Sequence, residues 1–130
     1  MSEENVDLAE RLLARFIATG EVSWELLHDQ IEVHDHDVMD AGEYRGHLGF
    51  ARWLENWSAA WEKFSIEPEE SLDAGSRVVL VFRMKATGRG SGVAVERQDA
   101  TVWDVRDGKI TRLDYYNNRD DALRHAGLTV

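Results

Sequence analysis

Residues 77–117, RVVLVFRMKATGRGSGVAVERQDATVWDVRDGKITRLDYYN, contain the strongest fold signal in the sequence. Apolar, β-branched and aromatic side chains dominate this stretch, which is typical of long strands. A glycine-rich turn interrupts it once, and Asp107-Gly108 predicts a tight hairpin further on. The predicted strands cover residues 77–87, 93–105 and 110–117. Together they form an antiparallel meander.

Amphipathic helices precede the meander. Apolar residues recur at the helical spacing i, i+3, i+4, i+7 and i+8 at Ala9, Leu12, Leu13, Phe16 and Ile17. This pattern predicts a first helix that ends at Gly20. Ser23 is a candidate cap for a second, short helix that carries Trp24, Leu26 and Leu27, and residues 31–33 then alternate like a strand.

A third helix is predicted over residues 46–63. Its apolar stripe consists of Phe50, Trp53, Leu54, Trp57 and Trp61. Pro68 favours an edge strand or a bulge in the segment that follows. Asn118 is expected to cap a last helix that stops at Gly127.

The order of these elements predicts one α+β domain over residues 1–130. A curved antiparallel sheet would wrap around the N-terminal helices as a cone-shaped α+β barrel with one central pocket. Val79 and Val81 alternate with Leu80 and Phe82, so both faces of one strand are apolar. We therefore expect a homodimer that covers the face opposite the pocket.

Composition narrows the choice of partners. The chain has 25 acidic and 15 basic residues, a formal net charge of −10, and no cysteine. A negative field repels phosphate backbones and anionic membrane surfaces, so no nucleic acid or membrane partner is expected. The N-terminus lacks a signal-peptide pattern, and the sequence has no apolar run long enough to span a bilayer. We expect a soluble cytoplasmic protein.

Several short motifs, in their order and spacing, carry a family resemblance. They are Gly20-Glu21, His34-Asp35, Tyr44-Arg45-Gly46, Gly90-Ser91-Gly92, Val102-Trp103, Asp107-Gly108-Lys109-Ile110, Ala122-Leu123 and Ala126-Gly127-Leu128. With these motifs the chain resembles the SnoaL-like branch of the nuclear transport factor 2-like superfamily, also described as cystatin-like cone or ketosteroid isomerase-like. That superfamily contains isomerases, dehydratases, polyketide cyclases, epoxide hydrolases and non-enzymatic binders, so the resemblance alone does not specify a reaction.

Asp35 is the first candidate catalytic residue. It is similar in position to the carboxylate base of ketosteroid isomerases, and a carboxylate that faces an apolar cup is desolvated and becomes a better base. The alternative is that residues 34–40 form a solvated acidic loop. His34 would be an acid/base partner, a donor to a ligand carbonyl, or a strand-end histidine half in solvent.

A metal site formed by His34, His36, Asp37 and Asp40 is disfavoured, because no further ligand follows at motif-grade spacing. We therefore expect no metal.

The last strand carries the next candidates. If the last strand has the same register as in the family that the chain resembles, the residues that face inward are Thr111, Leu113, Tyr115 and Asn117. The residues that face the other side are then Arg112, Asp114 and Tyr116. Limonene epoxide hydrolases carry a catalytic aspartate at the position similar to Tyr115, which argues against their triad here. Leu13 and Thr101 stand where ketosteroid isomerases place an oxyanion-holding tyrosine and a protonated aspartate. Tyr115 would be either a substitute donor or a core tyrosine.

The pocket walls are expected to be aromatic. Trp53 and Trp57 are the preferred ligand contacts. The further predicted ligand-binding residues are Phe82, Met84, Trp103 and Asn117. Arg83, Arg97 and Asp99 would line the pocket mouth or form surface cross-strand pairs, and the surface role is favoured.

The preferred hypothesis is a small-molecule pocket protein, a SnoaL-like enzyme without a cofactor that transfers protons on a hydrophobic cyclic or polyketide-like substrate. Asp35 would be the base, and His34 and Tyr115 would orient or polarise the substrate. The alternatives are a non-catalytic binder or carrier of a small apolar ligand, an interaction module with a vestigial pocket, and an epoxide hydrolase-like enzyme.

Overall fold

The computed structural model describes residues 2–36 and 43–129. Three α-helices are present in this part of the chain: α1 (Ser2–Thr19), α2 (Gly46–Ala59) and α3 (Arg119–Ala126). Six strands accompany them: β1 (Leu27–Asp35), β2 (Glu43–Arg45), β3 (Trp61–Ala74), β4 (Arg77–Gly88), β5 (Ala94–Arg106) and β6 (Lys109–Tyr116). In the part of the chain that is described, no helix is long and apolar enough to cross a membrane.

The strands form one sheet in the order β2-β1-β6-β5-β4-β3. Strands β3 to β6 are the predicted antiparallel meander, and α1 and α2 pack against the curved sheet. The predicted cone-shaped α+β fold is confirmed. One pairing differs from the prediction, since β1 runs parallel to β6 and the sheet is therefore mixed. A parallel pair needs a long connection, and α2 with four further strands supplies it here.

Two element boundaries also differ from the predictions. The short second helix is only a 3₁₀ turn over Trp24–Leu26, because Leu27 already pairs with Ile110 in the sheet. Helix α2 ends at Ala59 rather than at residue 63, and Trp61 begins β3 opposite Gly88. The helical spacing from Trp57 to Trp61 was thus accidental, because pairing with β4 competes successfully with another helical turn.

Other local predictions are confirmed. Pro68 lies on the edge strand β3, where the register with β4 shifts. The side chain of Asn118 accepts hydrogen bonds from the backbone N–H groups of Asp120 and Asp121, at 2.8 and 3.3 Å, and so caps α3. Gly127 ends that helix in the left-handed conformation, with φ of 79°.

The apolar residues divide into an inner and an outer cluster. The inner cluster lies between α1, α2 and the concave face of the sheet. In the outer cluster, Val79 and Val81 pack with Ala122 and Leu123 of α3 and are buried. The face that was expected to need a second copy is therefore covered by this chain's own helix at those residues, and this argument for a homodimer fails. The homodimer stays a prediction.

Candidate functional site

An apolar cavity lies between the two N-terminal helices and the inner face of the sheet. Its volume is about 60 Å³. The residues that line it are Leu12, Leu13, Phe16, Val22, Phe50, Trp53, Leu54, Trp57, Ile66, Phe82, Thr101, Trp103, Leu113 and Tyr115. Five of the predicted site residues thus surround one space: Trp53, Trp57, Phe82, Trp103 and Tyr115.

Asp35 adjoins this cavity at the end of β1. It pairs with Tyr115 across the β1/β6 ladder, and its side chain is only 5% exposed. The Trp53 indole N–H donates a hydrogen bond of 2.8 Å to Asp35 Oδ2. Trp53 lines the cavity and Asp35 does not, so this bond links the carboxylate to the apolar space through the Trp53 side chain.

Tyr115 connects the cavity to a second buried carboxylate. Its hydroxyl donates a short hydrogen bond to Asp99 Oδ2, and Asp99 also pairs with Arg97, at 2.8 Å between Nε and Oδ1. Burial, and after it the charge of Asp99, raises the pKa of Tyr115 well above its ordinary value of 10. Tyr115 therefore stays protonated across the physiological range. Arg97 in turn lies over the Trp61 ring, 5.6 Å from its centroid.

The remaining polar groups of the lining differ in how they are satisfied. Trp103 Nε1 donates to Thr101 Oγ1 at 2.7 Å, and that hydroxyl donates to the Leu80 carbonyl at 3.3 Å. By contrast, the buried N–H of Trp57 has no hydrogen-bond acceptor among the described residues. The N–H lies near the Tyr115 hydroxyl, and its weak hydrogen-bonding interaction with that oxygen lowers the pKa of the phenol against the larger effect of burial. A ligand oxygen with better geometry would compete with the Tyr115 hydroxyl for this donor.

A family model for the SnoaL-like domain matches residues 10–113. The chain belongs to the SnoaL-like domain family. No curated protein matches its sequence significantly. The fold and family predicted from the sequence motifs are thereby confirmed.

Solved structures share the fold of this SnoaL-like domain over almost its whole length. TerC, co-crystallised with polyporic acid, is 20% identical with a TM-score of 0.74, over 95% of this chain and 98% of TerC. A nuclear transport factor 2-like protein from Burkholderia xenovorans is 22% identical with a TM-score of 0.74, over 95% and 96% of the two chains.

A third structure, from Catenulispora acidiphila, has a ketosteroid isomerase-like fold and was solved in complex with trimethylamine. It is 17% identical with a TM-score of 0.69, over 91% of this chain and 93% of its own. At these identities the three similarities establish the fold.

Four of the predicted site residues do not line the cavity of this SnoaL-like domain: Asp35, which reaches it only through Trp53, and His34, Met84 and Asn117. His34 lies on the opposite face of β1, where its ring nitrogens are 3.3 Å from Glu32 and 3.3 Å from Glu43. The alternation of the strand, which turns Asp35 inward, turns His34 away. Met84 is buried in the inner cluster outside the cavity lining, and Asn117 is exposed beyond the end of β6.

Asp99 and Arg97 are the residues that sequence reasoning placed incorrectly. Asp99 was expected in a surface pair, but it is fully buried. The sequence does indicate their inward orientation. Residues 97, 99, 101 and 103 are every second residue of β5, so Arg97 and Asp99 lie on the same face of the sheet as Thr101 and Trp103. Arg83 does occupy the expected surface position, where it pairs with Glu69 at 3.3 Å.

On the outer face of the sheet, Asp114 is the centre of a separate polar network. Arg112 donates two hydrogen bonds to it, at 2.8 and 3.1 Å, and His36 lies 2.8 Å away. Burial opposes the charge of Asp114, but the hydrogen bonds from Arg112 and His36 prevail and leave its pKa below the ordinary value. Asp37 and Asp40, weighed as metal ligands with His36, lie outside the described residues.

Asp104, Asp114 and His125 place ligand atoms within 4.8 Å of one another on this outer face. Arg112 and Arg77 already pair with the two carboxylates, at 2.8 and 3.4 Å. This group is therefore an ion-paired network that holds α3 rather than a favourable cation site.

Proposed function

We propose that this SnoaL-like domain binds a small hydrophobic carbonyl compound in the inner cavity and transfers a proton on it, as an isomerase or cyclase does. The supporting observation is that two residues lining an otherwise apolar cavity each donate a hydrogen bond to a buried carboxylate, Trp53 to Asp35 and Tyr115 to Asp99. Burying carboxylates is costly, so their concentration around a cavity points to a function. The chemistry proposed here uses side chains alone.

Asp35 is the proposed base. The Trp53 hydrogen bond fixes the orientation of its carboxylate, and Trp53 brings the substrate against it. A fixed carboxylate beside an apolar space removes a proton from the carbon next to a carbonyl without first losing a full hydration shell.

Trp57 is the proposed donor to the substrate oxygen. Removal of the proton leaves negative charge on that oxygen, and a preorganised N–H donor stabilises such charge in a dry site. Tyr115 was expected to fill this role, but its own proton is directed at Asp99. We assign Tyr115 to shaping the cavity and holding Asp99 in place, and we assign His34 no role.

The second candidate is a non-catalytic binder of a small apolar ligand. The cavity lining favours this candidate, because its polar groups are limited to the hydroxyls of Thr101 and Tyr115 and the indole N–H groups, and the rest is hydrocarbon. The bound polyporic acid and trimethylamine of two similar structures support small-molecule binding under either candidate.

Deuterium exchange tests the proposal without knowledge of the natural substrate. Hydrophobic cyclic and open-chain ketones, cyclohexanone and 2-octanone among them, are incubated with the protein in D₂O, and α-deuteration is followed by NMR. The wild type should accelerate exchange, and Asp35→Asn should lower the enzymatic rate by roughly two to four orders of magnitude with the fold retained. Asp29→Asn is the matched control, because Asp29 lies on the same strand with a side chain 93% exposed.

Equal rates for the wild type and Asp35→Asn would contradict the assignment of the base. Binding of the ketones without any acceleration by the wild type would favour the non-catalytic binder.

A further inference from the structure

A second apolar groove lies outside the inner cavity, between the end of α1 and α2. Its volume is about 330 Å³. Its lining includes Phe16, Trp24, Leu54, Ser58 and Phe64, together with one charged residue, Glu55. A groove of this volume is within the range of ordinary small-molecule sites.

The groove and the inner cavity share two walls. Phe16 and Leu54 line both spaces, so these two side chains form the partition between inside and outside. Phe16 is stacked on Phe64 with ring centroids 6.4 Å apart, and Phe64 in turn contacts the Trp57 ring at 4.9 Å. A rotation of Phe16 about its side-chain bonds would therefore join the two spaces.

The inner cavity is too small to hold a whole ligand of the proposed class. Its volume of about 60 Å³ compares with about 150 Å³ for a protein cavity that binds one benzene ring. A carbonyl group and one or two carbons fill it. The rest of any larger substrate has to lie elsewhere.

Exposed apolar side chains mark the outer groove and its rim. Ile17, Trp24 and Phe64 are 40%, 37% and 36% exposed, an unusual concentration of large hydrophobic residues at a surface. Trp24 and Phe64 line the groove, and Ile17 lies beside Phe64 in the adjoining depression. An apolar group lying on this surface would remove them from water.

We infer that the ligand is elongated, with its carbonyl end in the inner cavity and an apolar chain or ring in the groove, passing between Phe16 and Leu54. This inference rests on the proposed function, and it defines the substrate class further. Substrates are hydrophobic carbonyl compounds that extend at least several carbons beyond the carbonyl group. Longer ketones should therefore bind more tightly than short ones, because the groove buries the carbons that the inner cavity cannot hold.

A series of methyl ketones from 2-butanone to 2-decanone tests the inference by titration calorimetry. In the wild type, each methylene beyond the inner cavity should tighten binding by about fourfold, which is the effect of burying one CH₂ group. Ser58→Phe fills the groove, so this gain should disappear while 2-butanone binds as before. Arg52→Phe is the control, because it adds the same ring at an exposed position of α2 that lines neither space. This variant should show the same gain in affinity with ketone length as the wild type.

Binding of 2-butanone with no gain for longer ketones would overturn the inference and leave the proposed function standing. An unchanged gain in Ser58→Phe would also overturn it. If Ser58→Phe instead alters the oligomeric state and leaves the series intact, the groove is an interface between copies of the chain. If no ketone of any length binds, the proposed function fails together with the inference.

Discussion

At the scale of single residues, Tyr115 is the group whose loss has the clearest consequence. Tyr115→Phe removes the phenol donor to Asp99 Oδ2 and leaves a buried carboxylate oxygen with one hydrogen bond fewer. We expect the free energy of unfolding to fall by about 1–3 kcal/mol, as measured by urea denaturation.

Tyr44→Phe is the matched control for that substitution. The Tyr44 hydroxyl accepts a 3.3 Å hydrogen bond from Asn56 at the surface, so its loss should cost less than about 0.5 kcal/mol. Equal losses in the two variants would contradict the assignment of a structural role to the Tyr115–Asp99 pair.

The inward residues were only partly predictable. Asp35 and Tyr115 could be assigned because each lies on a strand whose apolar neighbours define the buried face. For Asp99 the one sequence signal is its alternation with Thr101 and Trp103, and it is weak because residues 96–99 of β5 are all polar. The partners of Asp99 lie on two strands, Arg97 on β5 and Tyr115 on β6. The contact with Tyr115 depends on how β5 and β6 pair, which the local sequence of β5 does not indicate.

At the scale of elements, α3 depends on the outer network around His125. Burial lowers the pKa of His125 below 6.5. The negative charges of Asp114 and Asp104 raise this pKa, and the positive charges of Arg77 and Arg112 lower it, but the net shift remains downward. The His125 Nδ1 atom lies 2.7 Å from the Tyr116 hydroxyl, and Nε2 lies 3.5 Å from Asp114. The folded protein therefore favours the neutral His125 ring between α3 and the sheet.

A pH dependence of stability follows from the lowered pKa. Below pH 6.5 the unfolded chain takes up a proton at His125 that the folded chain resists, so stability is full above that pH and falls as the pH decreases. The contribution of Asp114 is lost at lower pH, below the ordinary carboxylate value of 3.8.

Urea denaturation between pH 7.5 and 5 measures this effect. His125→Gln should flatten the pH dependence over this interval. A wild-type slope that survives in His125→Gln would show that another group is responsible.

Element boundaries were predictable where local chemistry defines them. The Asn118 cap and Gly127 bound α3 in both sequence and structure. The end of α2 and the short strand β2 were not predictable, because both depend on pairing with another strand rather than on local chemistry. The parallel contact of β1 with β6 is of the same kind, since the two strands are distant in sequence.

At the scale of the whole molecule, the order of helices and strands was enough to predict the cone and its inner cavity. The volume of the cavity was not predictable, because it depends on how closely rings such as Phe16, Trp57 and Tyr115 pack. Helix α3 supplies the cover over Val79 and Val81 that a second copy was expected to provide. A short terminal helix with few apolar residues gives little indication of where it docks.

The central claim is that the inner cavity receives the carbonyl end of an apolar ligand at the Trp57 N–H. Titration of ¹⁵N-labelled protein with 2-octanone tests it directly, with the indole signals assigned through Trp57→Phe and Trp61→Phe. The Trp57 N–H proton should move downfield and saturate, because it gains an acceptor. Trp61, whose buried N–H also has no acceptor among the described residues but which does not line the cavity, should not move. An unmoved Trp57 signal, or equal movement of both indoles, would contradict the account.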